Sequence, residues 1–314
     1  MKKVIFVILS SFLSTISMAQ ESQTEYNFLR LPVSAHAAAL GGDNISLIED
    51  DESLIFSNPS LLSSVSDKTI VLNYMNYMSG CNTASVAFNR NFGERASAAL
   101  SGQYINYGSM KQVDENNIVS GTFSAKDISI AGYFSYLLGH NIAGGIAAKL
   151  ITSYIGDYNS LALGVDLGLN YYNPDKEWSV SIAAKNLGGQ LKAYNEEFER
   201  MPIDVQIGTT KRLINAPFRI SATLVDLNHW NYKFIKHAVV GMDILLSEDI
   251  WVGLGYNFRR ANDMKIQSGE EESSHGAGLS LGAGLYLNRF KLNLAYGKYH
   301  ISSHSMIINA AYSL

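Results

Sequence analysis

His300 and His304 stand four residues apart, the first spacing in the chain that could hold a metal ion. Bringing both rings to one ion at that spacing requires a helix. Here the pair flanks a turn between strand-like segments, and no Cys or carboxylate cluster completes a ligand set, so it reads as structural. The acidic run Glu49-Asp50-Asp51-Glu52 could offer oxygens to Ca²⁺. It lacks the Gly-punctuated spacing of a calcium loop and reads as helix capping or a solvated surface. Asp226, His229 and His237 are the nearest approach to a base and its orienting acid, yet the chain contains no Gly-x-Ser-x-Gly elbow. No catalytic residue, metal ligand or cofactor is therefore assigned. The aromatic character of Asn228-His229-Trp230-Asn231-Tyr232-Lys233-Phe234 points elsewhere. His229, Trp230, Tyr232 and Phe234 are candidate partner contacts, and equally candidates for an interfacial aromatic belt.

The scaffold beneath these residues follows from composition and period. Lys2 and Lys3 precede the apolar stretch 4–16 and a Ser17-Met18-Ala19 site, which predicts a signal peptide over 1–19 cleaved before Gln20. A net charge of −4 argues against nucleic acid as a partner. Cys81 is the only cysteine, so no intramolecular disulfide can form. Charged residues make up only 17% of the chain, below the usual quarter, while Gly and Tyr are abundant. After the signal segment no run approaches the roughly 20 apolar residues of a spanning helix. If the chain crosses a membrane, it does so as strands.

The final segment alternates Met306, Ile308, Ala310, Tyr312 and Leu314 with Ile307, Asn309, Ala311 and Ser313, a period of two. Fourteen such segments are read: 69–78, 83–92, 95–107, 127–138, 141–154, 160–172, 178–186, 203–213, 218–226, 237–246, 250–258, 276–287, 290–299 and 304–314. The bulky apolar face opposes Gly, Ser, Ala and Asn, the reverse of a soluble sandwich, because a crowded barrel interior tolerates small residues while lipid takes the large ones. Tight connections fall at every second junction, and the others include 108–126, 187–202, 227–236 and 259–275. That alternation predicts an all-β membrane protein, a fourteen-stranded antiparallel outer-membrane β-barrel over 69–314 with its long loops facing the cell exterior.

Residues 20–68 break the pattern and predict a short hatch folded into or against the barrel mouth. Ser34 to Leu40 is Ala-rich, starts after Pro32 and is closed by Gly41-Gly42, which predicts a short helix. A second helix is expected over 46–56, stopped by Asn58-Pro59. Phe28 to Gly42, then Glu49-Asp50-Asp51 and Ser57-Asn58-Pro59-Ser60-Leu61-Leu62, resemble the N-terminal region of the PorV/PorQ outer-membrane proteins of the Bacteroidota. The Asn-Pro-Ser-Leu-Leu ending lies nearer the PorQ branch. Pro32, Gly41, Gly42, Asp51, Asn58 and Pro59 form the hatch motif of that resemblance, which covers residues 27–62. It implies a FadL-like barrel with a plug, and a non-catalytic role in the attachment complex of type IX secretion. The implied partners are a PorZ-like surface protein, with PorU and PorV, and outer-membrane lipid or lipopolysaccharide. The other reading is a FadL-like channel for hydrophobic small molecules, which would need bulky apolar side chains along its path.

Overall fold

The computed structural model describes residues 24–314 apart from 79, 115–117, 230–232, 265, 269–270, 274–275 and 301–302. The expected signal peptide lies outside the described residues. Residues 24–68 carry 3-10 turns at Asn27–Arg30, Glu52–Phe56 and Pro59–Ser64, and one short helix, α1 (Ala35–Ala39). The strands follow: β1 (Thr69–Met78), β2 (Cys81–Phe92), β3 (Ala96–Val113), β4 (Val119–Leu137), β5 (Ile142–Ile155), β6 (Tyr158–Asn173), β7 (Trp178–Lys192) and β8 (Asp204–Arg212). Then come β9 (Phe218–Leu224), β10 (Ala238–Leu245), β11 (Ile250–Asn257), helix α2 (Phe258–Asp263), a small hairpin of β12 (Ile266–Ser268) and β13 (Glu271–Ser273), β14 (Leu279–Leu287), β15 (Phe290–His300) and β16 (Ser303–Ser313). All but β12 and β13 form one closed sheet of fourteen antiparallel strands, sealed where β1 pairs with β16 through Thr69↔Ser313 to Asn76↔Met306.

Alternation sets which side chains meet which medium. Leu100, Leu163 and Leu281 project outward from mid-strand at 64%, 47% and 52% exposure, whereas their neighbours Ser101, Ala162 and Ser280 are buried inside. A continuous belt of exposed leucine and isoleucine is stable only against hydrocarbon. Tyr74, Tyr104, Tyr154 and Tyr296 ring one rim of the belt, and Tyr136, Tyr171, Trp178 and Tyr312 the other, all outward and exposed. Such paired girdles place amphipathic rings at two membrane–water interfaces. No helix among the described residues is long and apolar enough to cross a membrane.

Short turns join the strands at one end of the barrel, the turn end, as the spacing predicts. At the opposite end, the loop end, the expectation needs correction. The expected loop over 108–126 is mostly ladder: β3 and β4 pair on through Ser109↔Ser124 to Val113↔Val119 as a projecting ribbon. Likewise β7 runs to Lys192, six residues into the expected loop over 187–202. Polar side chains outside the lipid belt carry no outward-apolar signal, so period-two patterning fades although backbone pairing continues. The stretch expected as a loop over 259–275 includes α2 and the β12–β13 hairpin. The second expected helix is also corrected, because only Glu52–Phe56 turns, and as 3-10. Asp51 explains the late start: its carboxylate accepts from Ser53 N at 2.9 Å and so caps the turn at that point.

Residues 24–68 thread the barrel from end to end. At the loop end Tyr26 meets Ser160 Oγ at 2.8 Å, and Thr24 bridges to Arg200. At the turn end Lys291 Nζ reaches Asp50 Oδ2 at 2.5 Å before the chain enters β1. The hatch thus fills the barrel's length rather than only its mouth.

Candidate functional site: the filled lumen and the loop end

Glycines placed inward along the strands are seats for the hatch backbone. A Cβ on Gly255 would stand 2.2 Å from Gly41 N and 2.3 Å from Leu40 C, and one on Gly145 2.3 Å from Ser60 N. On Gly168 it would meet Asn58 Oδ1 at 1.9 Å, and on Gly282 Ala39 Cβ at 2.5 Å. Side chains crowd other inward glycines, as at Gly284 beside Trp251 and Asn293, so the interior is tight both for the wall's own side chains and for the hatch.

The motif residues build the other half of that fit. Ser34 caps α1 by accepting from Ala37 N, and the helix ends in Gly41 and Gly42 at φ +107° and +105°, conformations that favour glycine. Gly41 O then accepts from Asn257 Nδ2 and Arg260 Nη1, both at 3.1 Å. Asn58 accepts from Ser60 N at 3.0 Å and donates to Ile45 O at 2.9 Å, tying the second half of the hatch to the first. Pro59 opens the following 3-10 turn at its N-terminus, where a missing N–H costs nothing, and packs where Gly145 leaves space. Pro32 lies beside a cavity of about 10 Å³ shared with Arg30, Asp43, Lys185 and Gln206.

Toward the turn end of the lumen lies a charge cluster that residue spacing did not reveal. His36, fully buried on α1, places Nδ1 2.8 Å from Glu49 Oε2 and Nε2 3.1 Å from Asp243 Oδ1. Arg219 Nη2 reaches Glu49 Oε1 at 2.7 Å and Asp243 Oδ2 at 2.8 Å. The imidazole stacks on Trp251 with ring centroids 3.5 Å apart, and Tyr286 donates to Glu49 at 2.8 Å. Burial works to strip the proton from His36, but Glu49 and Asp243 together outweigh it and hold its pKa at about 9. Burial also opposes ionisation of Glu49, yet Arg219 and His36 keep its carboxyl well below the usual range. Glu52 behaves oppositely. Fully buried, with neither oxygen hydrogen-bonded among the described residues, it is pushed up to about 8 by burial and by Asp51 and Asp50. The acidic run is mostly interior: Glu49 pairs, Asp51 caps as expected and Glu52 is buried, while Asp50 remains 39% exposed. No group of three or more metal-ligating side chains gathers among the described residues.

A sequence signal for this cluster did exist. Arg219, Asp243, Lys149, Asp166 and Lys291 are charged residues at inward positions of lipid-facing strands, where each charge must be paired. Lys149 Nζ meets Asp166 Oδ2 at 2.6 Å and Asn186 Oδ1 at 2.9 Å. Which partner each takes depends on strand register and on the hatch path.

Of the proposed contact residues at the loop end, His229 and Phe234 are among the described residues. His229 Nδ1 is held 2.7 Å from Asp226 Oδ1, whose other oxygen takes Arg259 Nη1 at 2.6 Å. Phe234 stands 61% exposed at the start of the Phe234–His237 turn. Trp230 and Tyr232 lie outside the described residues. His237 is buried and turned to Val225 O at 2.8 Å, away from a triad with His229. His304 pairs with Tyr296 OH at 2.6 Å while His300 packs edge-on to Tyr77, so the two histidines face different partners.

Two internal gaps are small. Beside Leu29, Leu31, Val33 and Phe56 the gap between hatch and wall holds about 20 Å³, room for one water. The larger hollow of about 720 Å³ is an open groove outside, between turns 174–177, 212–217 and 245–248 at the turn end.

No family model and no curated protein matches the chain. Solved structures do. The CymD monoaromatic hydrocarbon channel aligns at TM-score 0.59 and 13% identity, covering 90% of this chain and 97% of that one. The Pseudomonas putida toluene transporter TodX aligns at 0.57 and 14%, with the same coverages of 90% and 97%. A Pseudomonas aeruginosa FadL homologue aligns at 0.54 and 12%, covering 88% of this chain and 98% of its own length. At such identities the likeness is one of fold. With its lipid-facing belt, fourteen closed strands and threaded N-terminal segment, the chain has the fold of the FadL-like outer-membrane barrels.

Proposed function

We propose that this barrel is a non-catalytic outer-membrane anchor, which holds a surface protein at its loop end while the seated hatch fills its lumen. The observation that carries this reading is the filled interior. Cavities of about 20 and 10 Å³ compare with the roughly 300–1,000 Å³ of a small-molecule site, and the wall beside them is largely polar, with Ser101, Gln103, Ser129 and Lys149 at the first and Lys185 and Gln206 at the second. The type IX assignment, with a PorZ-like partner alongside PorU and PorV, rests on the resemblance of residues 27–62. His229 and Phe234, on a long connection beyond the belt, are the described contacts offered to it. In this reading the loop end faces the exterior and lipopolysaccharide surrounds that rim.

The second reading is a FadL-like channel for hydrophobic small molecules, and the comparisons lean toward it, because the similar barrels are described as hydrocarbon channels and a toluene transporter. The apolar side chains Leu29, Leu31, Val33 and Phe56 around the larger internal gap favour it structurally. One deletion strain separates the two. Recovery of a surface protein with the tagged barrel after mild detergent extraction, and release of that protein from cells lacking the barrel, supports the anchor. Impaired uptake of an apolar nutrient, with no surface protein recovered, transfers the assignment to the channel.

A further inference from the structure

The wall behind the hatch is largely polar, although Met75, Ile105, Ile151, Trp251 and Ile307 pack apolar side chains against it. Asn73, Ser85, Gln103, Asn170, Thr210 and Asn309 all face the lumen from different strands and are buried. Where the wall offers carbon to the hatch near Leu62 and Ile55, it does so mainly through alanines, at Ala87, Ala99, Ala131, Ala147 and Ala311. Much of the seating is by hydrogen bonds, such as Ser46 to Thr210 at 2.8 Å, Ser135 to Ser60 O at 3.2 Å and Asn309 to Val33 O at 2.9 Å. Water can replace each of these.

The charge cluster has a matching property. His36 and Glu49 both belong to the hatch and pair with each other at 2.8 Å. Arg219 and Asp243 both belong to the wall, on β9 and β10, and also pair with each other at 2.8 Å. Across the boundary His36 meets Asp243 and Arg219 meets Glu49, while Arg219 Nη2 also stands 3.3 Å from His36 Nε2. Separation therefore leaves an ion pair on each side and strands no charge, unlike a buried pair with one partner on each element. Two further cross-boundary pairs among the described residues, Asp50 to Lys291 and Asp67 to Arg90, have carboxylates that are 39% and 40% exposed.

We propose that the hatch is a releasable plug, latched by the His36–Glu49–Asp243–Arg219 quartet, and that its release opens a hydrophilic pore for water, small ions and small polar solutes. Fourteen strands lie between the eight whose interior side chains can fill and the sixteen to eighteen that leave an aqueous channel, so the plug decides the state of this lumen. Such a pore goes beyond the anchoring role and stands or falls without it. Every element packed on the latch is accounted for: Arg219 from β9, Asp243 from β10, Trp251 from β11, Tyr286 from β14, and His36 and Glu49 from the hatch, with Asp51 as a further nearby charge. Loss of the His36 proton removes one of two cations facing two anions, so alkali loosens the plug.

The test is conductance of the full-length barrel in planar bilayers, with arabinose entry into liposomes as a second readout. The wild-type barrel is expected to be closed at pH 7 and to begin conducting KCl above pH 9. The Arg219→Met/Asp243→Leu variant should conduct at pH 7 at least ten times more than wild type, while retaining the wild-type mobility of unheated samples. A tether guards against misfolding: Ser46→Cys/Thr210→Cys in a Cys81→Ala background should abolish alkaline conductance when oxidised and regain it on reduction. A folded latch variant that stays tight to both ions and arabinose overturns the proposal. So does wild-type conductance that persists with the oxidised tether.

Discussion

Replacing Gly255 by Ala should loosen the hatch, whereas the same change at Gly132 should not. Both glycines lie within strands, where alanine is ordinarily favoured by about 0.5–1 kcal/mol. On Gly132, which faces lipid, the new Cβ meets nothing within 4 Å, so that small gain is the expected net effect. On Gly255 it would stand 2.2 Å from Gly41 N and 2.3 Å from Leu40 C, against a normal contact of about 3.5–4 Å. The obstacle is backbone, fixed by Asn257 and Arg260 on Gly41 O, so it cannot swing aside as a side-chain tip would. Overpacking of this kind costs about 1–3 kcal/mol, and backbone on two sides puts Gly255 near the upper end. After subtracting the alanine gain, about 2 kcal/mol remains, roughly a thirtyfold shift in the folded-to-unfolded ratio. The assay is the fraction of folded barrel against urea, read from gel mobility of unheated samples, with protease cleavage within 34–48 as a second probe. Coincident urea midpoints for the two variants, with equal protection of the hatch, would refute the reasoning.

Hatch seating should depend on pH in two directions. The His36 contribution is complete below about pH 6.5 and is lost as pH rises through about 9, because the folded pKa is raised. The Glu49 contribution is complete above its ordinary value near 4.5 and fades in acid, because its folded pKa is lowered. Protease resistance of the hatch is therefore expected to peak between about pH 4.5 and 6.5, and a flat profile from pH 4 to 10 would contradict this. Glu52 is held near 8 in the fold, so folding takes up a proton there and stability falls as pH rises from 4.5 to 8. Glu52→Gln should raise the urea midpoint at pH 8, and the gain should vanish below pH 4.5. Excising 229–236 should abolish partner recovery and leave the barrel inserted, provided Asn228 is spared, since its side chain bonds Val205 N and Ile203 O at 3.0 and 3.1 Å. Partner recovery undiminished by that excision would move the docking surface elsewhere. In intact cells, tags near 195 and 261 should be reached by antibody while one at 175 is not, and labelling at 175 would reverse the orientation.

The sequence by itself determined the barrel. Period-two alternation is a local property, and each strand carries its own record of which side meets lipid, so all fourteen strands were legible down to the inward face of Ile307, Asn309 and Ala311. The capped α1 was legible for the same reason, since Ser34 and the Gly41-Gly42 stop act within a few residues. What only the tertiary structure decided is pairing between residues far apart. Nothing local to Gly168 or Gly255 announces that Asn58 or Leu40 will lie against it, and nothing local to His36 names Asp243, 207 positions away. The inward charges on β5, β6, β9 and β10 showed that partners must exist, because an unpaired charge in that interior is too costly. Their identity waits on closure, when strand register fixes the height of Arg219 beside Asp243 and the thread from residue 24 to 68 brings His36 and Glu49 to the same level.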